Sequence, residues 1–226
     1  MNEVQKDRLI FSFSRRVGRT LSDTQKAFLK NELHKFTIKN PQGINPAKLF
    51  NFQPKEIWFE IGFGSGEHIA TLAEQNKDIG FIGCEPFLNG VANLLNHIVE
   101  RNISNIRIWQ NDARLLLGEL PDNILQRVYI LFPDPWPKLK HHKRRIISDL
   151  TLNLLATKIV KGGKLIVATD HKEYAGEMEK TLNSHQEFTP FVTDYKLPPE
   201  GWVKTRYQEK AEALNLQPYF FQFIRK

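Results

Sequence analysis

A single cysteine, Cys84, occurs in the 226 residues of this chain. One thiol excludes an internal disulfide framework and fits a reducing cytosol, so a cytoplasmic location is expected. Cys84 lies in the apolar run Ile82-Gly83-Cys84, a setting for a small buried hydrophobe and not for a nucleophile. Long apolar runs are also missing. No stretch approaches the roughly 18 to 20 residues of a membrane span. Residues Met1 to Arg19 are polar and mixed in charge, without the apolar centre of a signal peptide. Internal repeats and low-complexity tracts are absent. Cys/His sets at metal-ligand spacing are absent too, and the adjacent His141 and His142 cannot easily chelate one ion, so no metal site is expected. Acidic residues are outnumbered 25 to 32, and the resulting charge of +7 favours an anionic partner, nucleic acid first. With 41% hydrophobic residues the chain can bury one substantial core.

What is present in abundance is proline at one place. Leu131-Phe132-Pro133-Asp134-Pro135-Trp136-Pro137-Lys138 follows the apolar, β-branched run Arg127-Val128-Tyr129-Ile130. That run predicts a buried strand, which must end where prolines remove the N–H groups of a sheet ladder. Each proline is expected to push its predecessor into extended backbone. Asp134, Trp136 and Lys138 then sit on a stiff ribbon at a strand's carboxyl end, the edge where ligands bind in open α/β sheets. The plainer alternative is a proline-rich turn joining strand to helix.

The rest of the chain supplies the frame. Residues 1–54 are expected to form a basic arm, a short helix and a linker, and residues 55–226 the main domain. Ser22-Asp23-Thr24-Gln25 has the form of a capping box and predicts a helix to about His34. Strands are predicted over 57–61, 79–84, 106–109, 127–132, 165–168, 188–193 and 219–224. Helices are predicted over 67–75, 91–99, 145–160 and 173–182, the third closed by Gly162-Gly163 as a C-cap. This alternation gives a doubly wound, mostly parallel α/β sheet of Rossmann-like class. The last two strands have no helix between them, so one of them is expected to be antiparallel.

The first five strands end in Glu60, Glu85, Asp112, Asp134 and Asp170. Five carboxylates on one sheet edge repel one another unless a cation or a set of donors sits among them. The turn after the first strand is Gly62-Phe63-Gly64-Ser65-Gly66, followed by Glu67. A glycine turn into a helix generally suits a pyrophosphate, but Glu60 and Glu67 would oppose one. A sulfonium with a free amine, S-adenosylmethionine, suits the acids better. Glu85 lies 25 residues beyond Glu60, near the offset at which an acid meets ribose hydroxyls, and Asp112 can receive the adenine amine.

Two basic clusters flank this frame. Lys138-Leu139-Lys140-His141-His142-Lys143-Arg144-Arg145 has five Lys/Arg in eight positions, and Arg15, Arg16 and Arg19 lie near the N-terminus. A charge run alone is usually a solvated face. Beside Trp136 on a ligand-binding edge, Lys140, Lys143, Arg144 and Arg145 become candidates for phosphate contacts with RNA, together with the N-terminal arginines. Gly201 to Lys210 lies in the last long loop, with aromatic and hydrogen-bonding side chains of the kind an unstacked base uses.

The sequence resembles the bacterial tRNA (guanine-N7-)-methyltransferases along nearly its whole length. The most specific element is Phe132-Pro133-Asp134-Pro135-Trp136-Pro137-Lys138 with His141-His142-Lys143-Arg144-Arg145. Glu60-Ile61-Gly62-Phe63-Gly64-Ser65-Gly66, Asn111-Asp112-Ala113 and Ser12 to Arg19 support it. The resemblance implies that Glu60, Glu85, Asp112 and Asp134 contact S-adenosylmethionine, and that Asp134 is the active-site residue. It implies that Lys138, Asp170 and Thr205, Arg206, Tyr207 and Gln208 contact the tRNA substrate. The family's loop reads T-x-(Y/F)-E where this chain has Gln208, so either Glu209 or Asp170 supplies the acceptors for guanine's Watson–Crick edge or the base is held more loosely. Asp170 is the expected one, because it ends a strand on the rigid edge. The competing readings are a methyltransferase acting on another substrate, and an RNA-binding relative without catalysis.

Overall fold

The computed structural model describes residues 18–226. Arg15 and Arg16, two of the expected RNA contacts, lie outside the described residues. Among the described residues no helix is long and apolar enough to cross a membrane. Seven strands form one sheet in the order β3-β2-β1-β4-β5-β7-β6, and the chain falls into two compact units, one ending at Pro121 and one running from Asp122 to Lys226.

The first unit opens with α1 (Asp23–Asn31). The expected capping box is present: Ser22 Oγ accepts from Gln25 N–H, and the Gln25 side chain accepts from Ser22 N–H. α1 breaks at Glu32, and α2 (Leu33–Phe36) continues for one turn. Gln25 Nε2 donates to Asn93 Oδ1 at 2.8 Å and so ties α1 to α4 (Leu88–Glu100). Strands β1 (Glu56–Ile61), β2 (Ile79–Cys84) and β3 (Ile106–Trp109) pair in parallel, separated by α3 (Glu67–Gln75) and α4. Their side chains explain the pairing, since Phe59, Phe81, Ile82, Ile106 and Ile108 are all buried, as are Leu94, Leu95 and Ile98 of α4. A helix absent from the sequence prediction, α5 (Ala113–Glu119), follows β3 and is capped by Asp112.

In the second unit β4 (Leu125–Leu131) pairs in parallel with β5 (Ile159–Thr169). β7 (Tyr219–Arg225) is antiparallel to both β5 and β6 (Phe188–Val192), so β7 is the expected antiparallel strand. Helices α6 (Asp149–Lys158) and α7 (Lys172–Ser184) connect these strands, with Tyr174, Met178 and Leu182 fully buried on α7. The predicted helix over 145–160 is wrong at both ends. Residues Leu139–Arg144 form a 3₁₀ turn, and Ile159 already belongs to β5 through its pairing with Leu125. Gly162 and Gly163 therefore lie within an irregular strand and cap no helix.

Candidate active site

In the first unit the strand register fixes one edge. Ile61 pairs with Cys84, and Cys84 with Trp109, so Glu60, Glu85 and Asp112 lie along the same carboxyl edge of β1, β2 and β3. Each carboxylate is buried and each has found donors. Glu60 Oε2 is 2.7 Å from His68 Nδ1 on α3. Glu85 Oε2 accepts from Gly64 N–H at 3.0 Å, and its Oε1 accepts from Phe87 N–H at 2.9 Å. Asp112 accepts from Arg114 N–H and receives the Arg114 guanidinium through two bonds of 2.9 and 2.6 Å. Asn111 Oδ1 accepts from Asp112 N–H. The mutual repulsion expected of these acids is thus relieved partly by protein donors.

The turn between β1 and α3 has the geometry its glycines suggest. Gly62, Gly64 and Gly66 have φ of 71°, 55° and 82°, values that carry a steric cost for side chains. Gly90, on the first turn of α4, was not singled out in the sequence. A β-carbon there would collide with the Gly64 carbonyl oxygen, so α4 reaches the glycine turn only because residue 90 is bare. Cys84 is buried, and burial, helped by the Asp112 and Glu85 charges, pushes its thiol well above the usual range, which confirms it as inert.

The second unit presents a different kind of acid. Leu131 pairs with Ala168, so Asp134 and Asp170 follow the carboxyl ends of adjacent parallel strands. Neither carboxylate accepts a hydrogen bond among the described residues. Asp134 is exposed on the proline ribbon, yet desolvation by the protein around it raises its pKa above the ordinary carboxylate value. The ribbon is stiff, but its backbone is not uniformly extended as the prolines suggested. Phe132 and Trp136, both preceding prolines, have φ of 48° and 44°. Such values cost about 1 to 3 kcal/mol each and persist only where surrounding structure imposes them. Part of that structure is visible: Arg144 lies 4.8 Å from the Trp136 ring centroid and His141 meets the ring edge-on.

The family described as "Putative methyltransferase" (Methyltransf_4) matches residues 54–220. A tRNA (guanine-N(7)-)-methyltransferase of Paramagnetospirillum magneticum is 41% identical over 95% of this chain and 92% of its own length. One of Hyphomonas neptunium is 41% identical over 94% and 98%. The chain belongs to the tRNA (guanine-N7-)-methyltransferases. Among solved structures, the 16S rRNA methyltransferase KamB shares the fold, with TM-score 0.54, 16% identity, and 77% and 90% of the two chains covered.

Placed on this methyltransferase, the residues expected from sequence divide. Lys138, Lys140 and Lys143 are exposed, as is Arg19, whose carbonyl accepts from Asn89 Nδ2. Arg145 is not available to RNA. Its side chain is 1% exposed, and its guanidinium is bonded to Pro135, Glu173 and Glu177. The phosphate contact expected of it is therefore withdrawn, because the guanidinium is out of reach of solvent and four of its five donors are engaged within the protein. Those two glutamates and His142 bring ligand atoms within 4.8 Å of one another, but both carboxylates are already engaged by Arg145.

The 201–210 segment is also not a plain loop. Thr205 caps a helix, α8 (Arg206–Ala213), and its Oγ1 accepts from Gln208 N–H. Thr205 and Gln208 are buried, while Arg206 and Tyr207 face outward. Gln208 Oε1 accepts from Trp202 Nε1 at 2.6 Å, and its Nε2 donates to Glu212 at 2.9 Å. The amide expected at the substrate is spent on holding Trp202 to α8. Gln208→Glu should keep the Trp202 bond but set two carboxylates against each other at Glu212. The expected result is a Tm lower by roughly 3 to 8 °C with kcat/KM nearly unchanged. An unchanged Tm with a tenfold gain in transfer would instead mean that position 208 reads the base.

Residues that sequence reasoning missed have local signals in part. His68 and Arg114 partner acids at the i+8 and i+2 positions, and nothing in their spacing announced it. α8 did announce itself, since Thr205-x-x-Gln208 has the same form as the Ser22 box.

Proposed function

We infer that this enzyme transfers a methyl group from S-adenosylmethionine to N7 of a guanine in tRNA. The observation that carries the reading is its similarity to tRNA (guanine-N7-)-methyltransferases over nearly the full length of both chains. The residues fit the cofactor. Glu85 accepts from two backbone N–H groups and Glu60 meets His68, which fixes both carboxylates along the strand edge where a cationic, hydroxyl-rich ligand finds acceptors. Glu60, Glu85 and Asp112 would hold its amine, ribose and adenine, and the glycine turn gives its amino-acid part access to backbone. When bound, the cofactor supplies an electrophilic methyl group on a cationic sulfur.

Guanine N7 carries an in-plane lone pair and no proton, so no general base is needed at the nucleophile. The protein's task is to align N7 with the methyl carbon and to stabilise the charge that appears on the base. Asp134, which accepts no hydrogen bond among the described residues, stabilises in its ionised form the imidazolium character of the product. Asp170 accepts from N1–H and the N2 amine, which a carboxylate can do in parallel. Lys138, Arg206 and Tyr207 are assigned to the nucleotides around the base. Labelled methyl transfer to tRNA, followed by mapping of the modified base, tests the reading. Label at any atom other than guanine N7 contradicts it.

The exposed Lys140 and Lys143 are assigned to phosphates. Lys140→Ala with Lys143→Ala should lower the slope of log K against log salt by about 0.7 to 0.9 per lost contact. The kcat at saturating tRNA should not change. Filter binding over a salt series measures this, and an unchanged slope would make the run a solvated face only.

A further inference from the structure

Arg145 is the most deeply buried charge in the basic run, and its bonds lead to the ribbon that carries Asp134. Nε donates to the Pro135 carbonyl at 2.8 Å. The Nη atoms bond both Glu173 oxygens at 3.1 and 2.9 Å, and Nη1 also bonds Glu177. The guanidinium stacks 4.6 Å from the centroid of Tyr174, a ring with no exposure, whose hydroxyl accepts from Ile147 N–H. Glu173 and Glu177, one turn apart, lie on one face of α7, with Tyr174 beside them on the buried side. The arginine is thus a bracket between α7 and one backbone carbonyl.

The ribbon needs such a bracket. Phe132 N–H donates to Ala168 in the last ladder bond of β4. Beyond it, Pro133, Pro135 and Pro137 have no N–H to donate. Two residues hold positive φ, which does not persist unless imposed. Asp134 itself makes no hydrogen bond among the described residues, so its carboxylate is aimed by backbone alone. The next residue along the ribbon, Pro135, has its carbonyl fixed by Arg145.

We propose that Arg145 is a positioning residue for methyl transfer, holding the Pro135 carbonyl against α7 so that the Asp134 carboxylate is aimed at the reacting base. The guanidinium is buried while Glu173 and Glu177 remain partly in water, so the cluster is a modest source of stability, whereas it defines one geometry closely. The planar fork matters as well as the charge. One guanidinium serves a carbonyl and two carboxylates in fixed directions, which a lysine ammonium cannot reproduce. The proposal rests on the assignment of Asp134 to the base, and it makes Arg145 act through Asp134 without touching the substrate.

The test compares Arg145→Lys, Glu173→Ala and Asp134→Asn with the parent protein in single-turnover methyl transfer at saturating tRNA. Cofactor binding is followed by calorimetry, tRNA binding by filter assay, and folding by thermal melting. Misplacement by about 1 Å can cost roughly 100-fold in rate, so Arg145→Lys should lose about 10- to 100-fold in kcat. The tRNA KM and cofactor Kd should stay within about twofold, a split that mere structural weakening would not give. Glu173 is half-exposed and distant in role from either ligand, so Glu173→Ala should fold and lose a smaller factor in kcat alone. That variant decides the matter if Arg145→Lys does not fold. Folded variants of both residues with parental kcat, or with losses confined to binding, overturn the proposal while Asp134→Asn remains impaired. If Asp134→Asn is itself silent, the assignment of Asp134 has failed and the proposal with it.

Discussion

Asp134→Ala is expected to lower the rate of methyl transfer by about 100- to 1000-fold, the usual cost of removing one preorganised electrostatic group from a reacting site. The effect should fall on kcat, with cofactor affinity reduced far less. The reason lies in the contrast among the acids: Glu60, Glu85 and Asp112 are braced by protein donors, whereas Asp134 has none among the described residues. Its pKa is raised by desolvation, which also gives the pH dependence its sign. Only the ionised form stabilises positive charge on the base. Activity should therefore fall as pH drops through that raised pKa, placing the acid limb above the ordinary aspartate value. Stability runs the other way. The folded protein holds this proton more tightly than the unfolded chain does, so ionised Asp134 costs stability once pH rises past the unfolded value. Asp134→Asn should lose activity, lose the acid limb and melt at the same temperature or higher. A variant keeping parental kcat and the same acid limb would remove Asp134 from the reaction.

Glu85→Ala should weaken S-adenosylmethionine binding by about 1 to 3 kcal/mol, or roughly 5- to 150-fold in Kd. Two consequences combine. The ligand loses an acceptor, and the N–H groups of Gly64 and Phe87 lose the carboxylate that joins the glycine turn to the start of α4. The kcat at saturating cofactor should change little, because uniform binding is what is removed. Glu85→Gln, with one acceptor in place of two, should fall between. Calorimetry on the three proteins gives the order, and parental affinity in Glu85→Ala would take Glu85 out of the cofactor site.

Much of the frame was legible because its causes are local. The Ser22 box forms from residues three apart, the glycine turn from spacing within five residues, and β1, β2 and β4 from short apolar runs. Errors came where a distant partner overrode local preference. Ile159 and Val160 could continue a helix, but pairing with Leu125 draws Ile159 into β5. α5 and α8 are short, and their capping residues Asp112 and Thr205 are side chains that serve a ligand as readily as a helix end, so the local signal is ambiguous.

The sequence by itself determined the Rossmann-like α/β class, the family, and the placing of acids at strand ends, since periodicity, prolines and motif residues act over a few positions. Only the tertiary structure decided which of those charges remain open. Arg145 and Lys143 are indistinguishable in a basic run, yet Glu173 and Glu177, 28 and 32 residues beyond Arg145, bury its guanidinium and leave Lys143 in water. Asp134 and Glu60 are equivalent strand-end acids until His68 occupies one and prolines isolate the other. A side chain's availability depends on desolvation and on partners brought together by packing, and neither quantity is a property of the neighbouring residues in the chain.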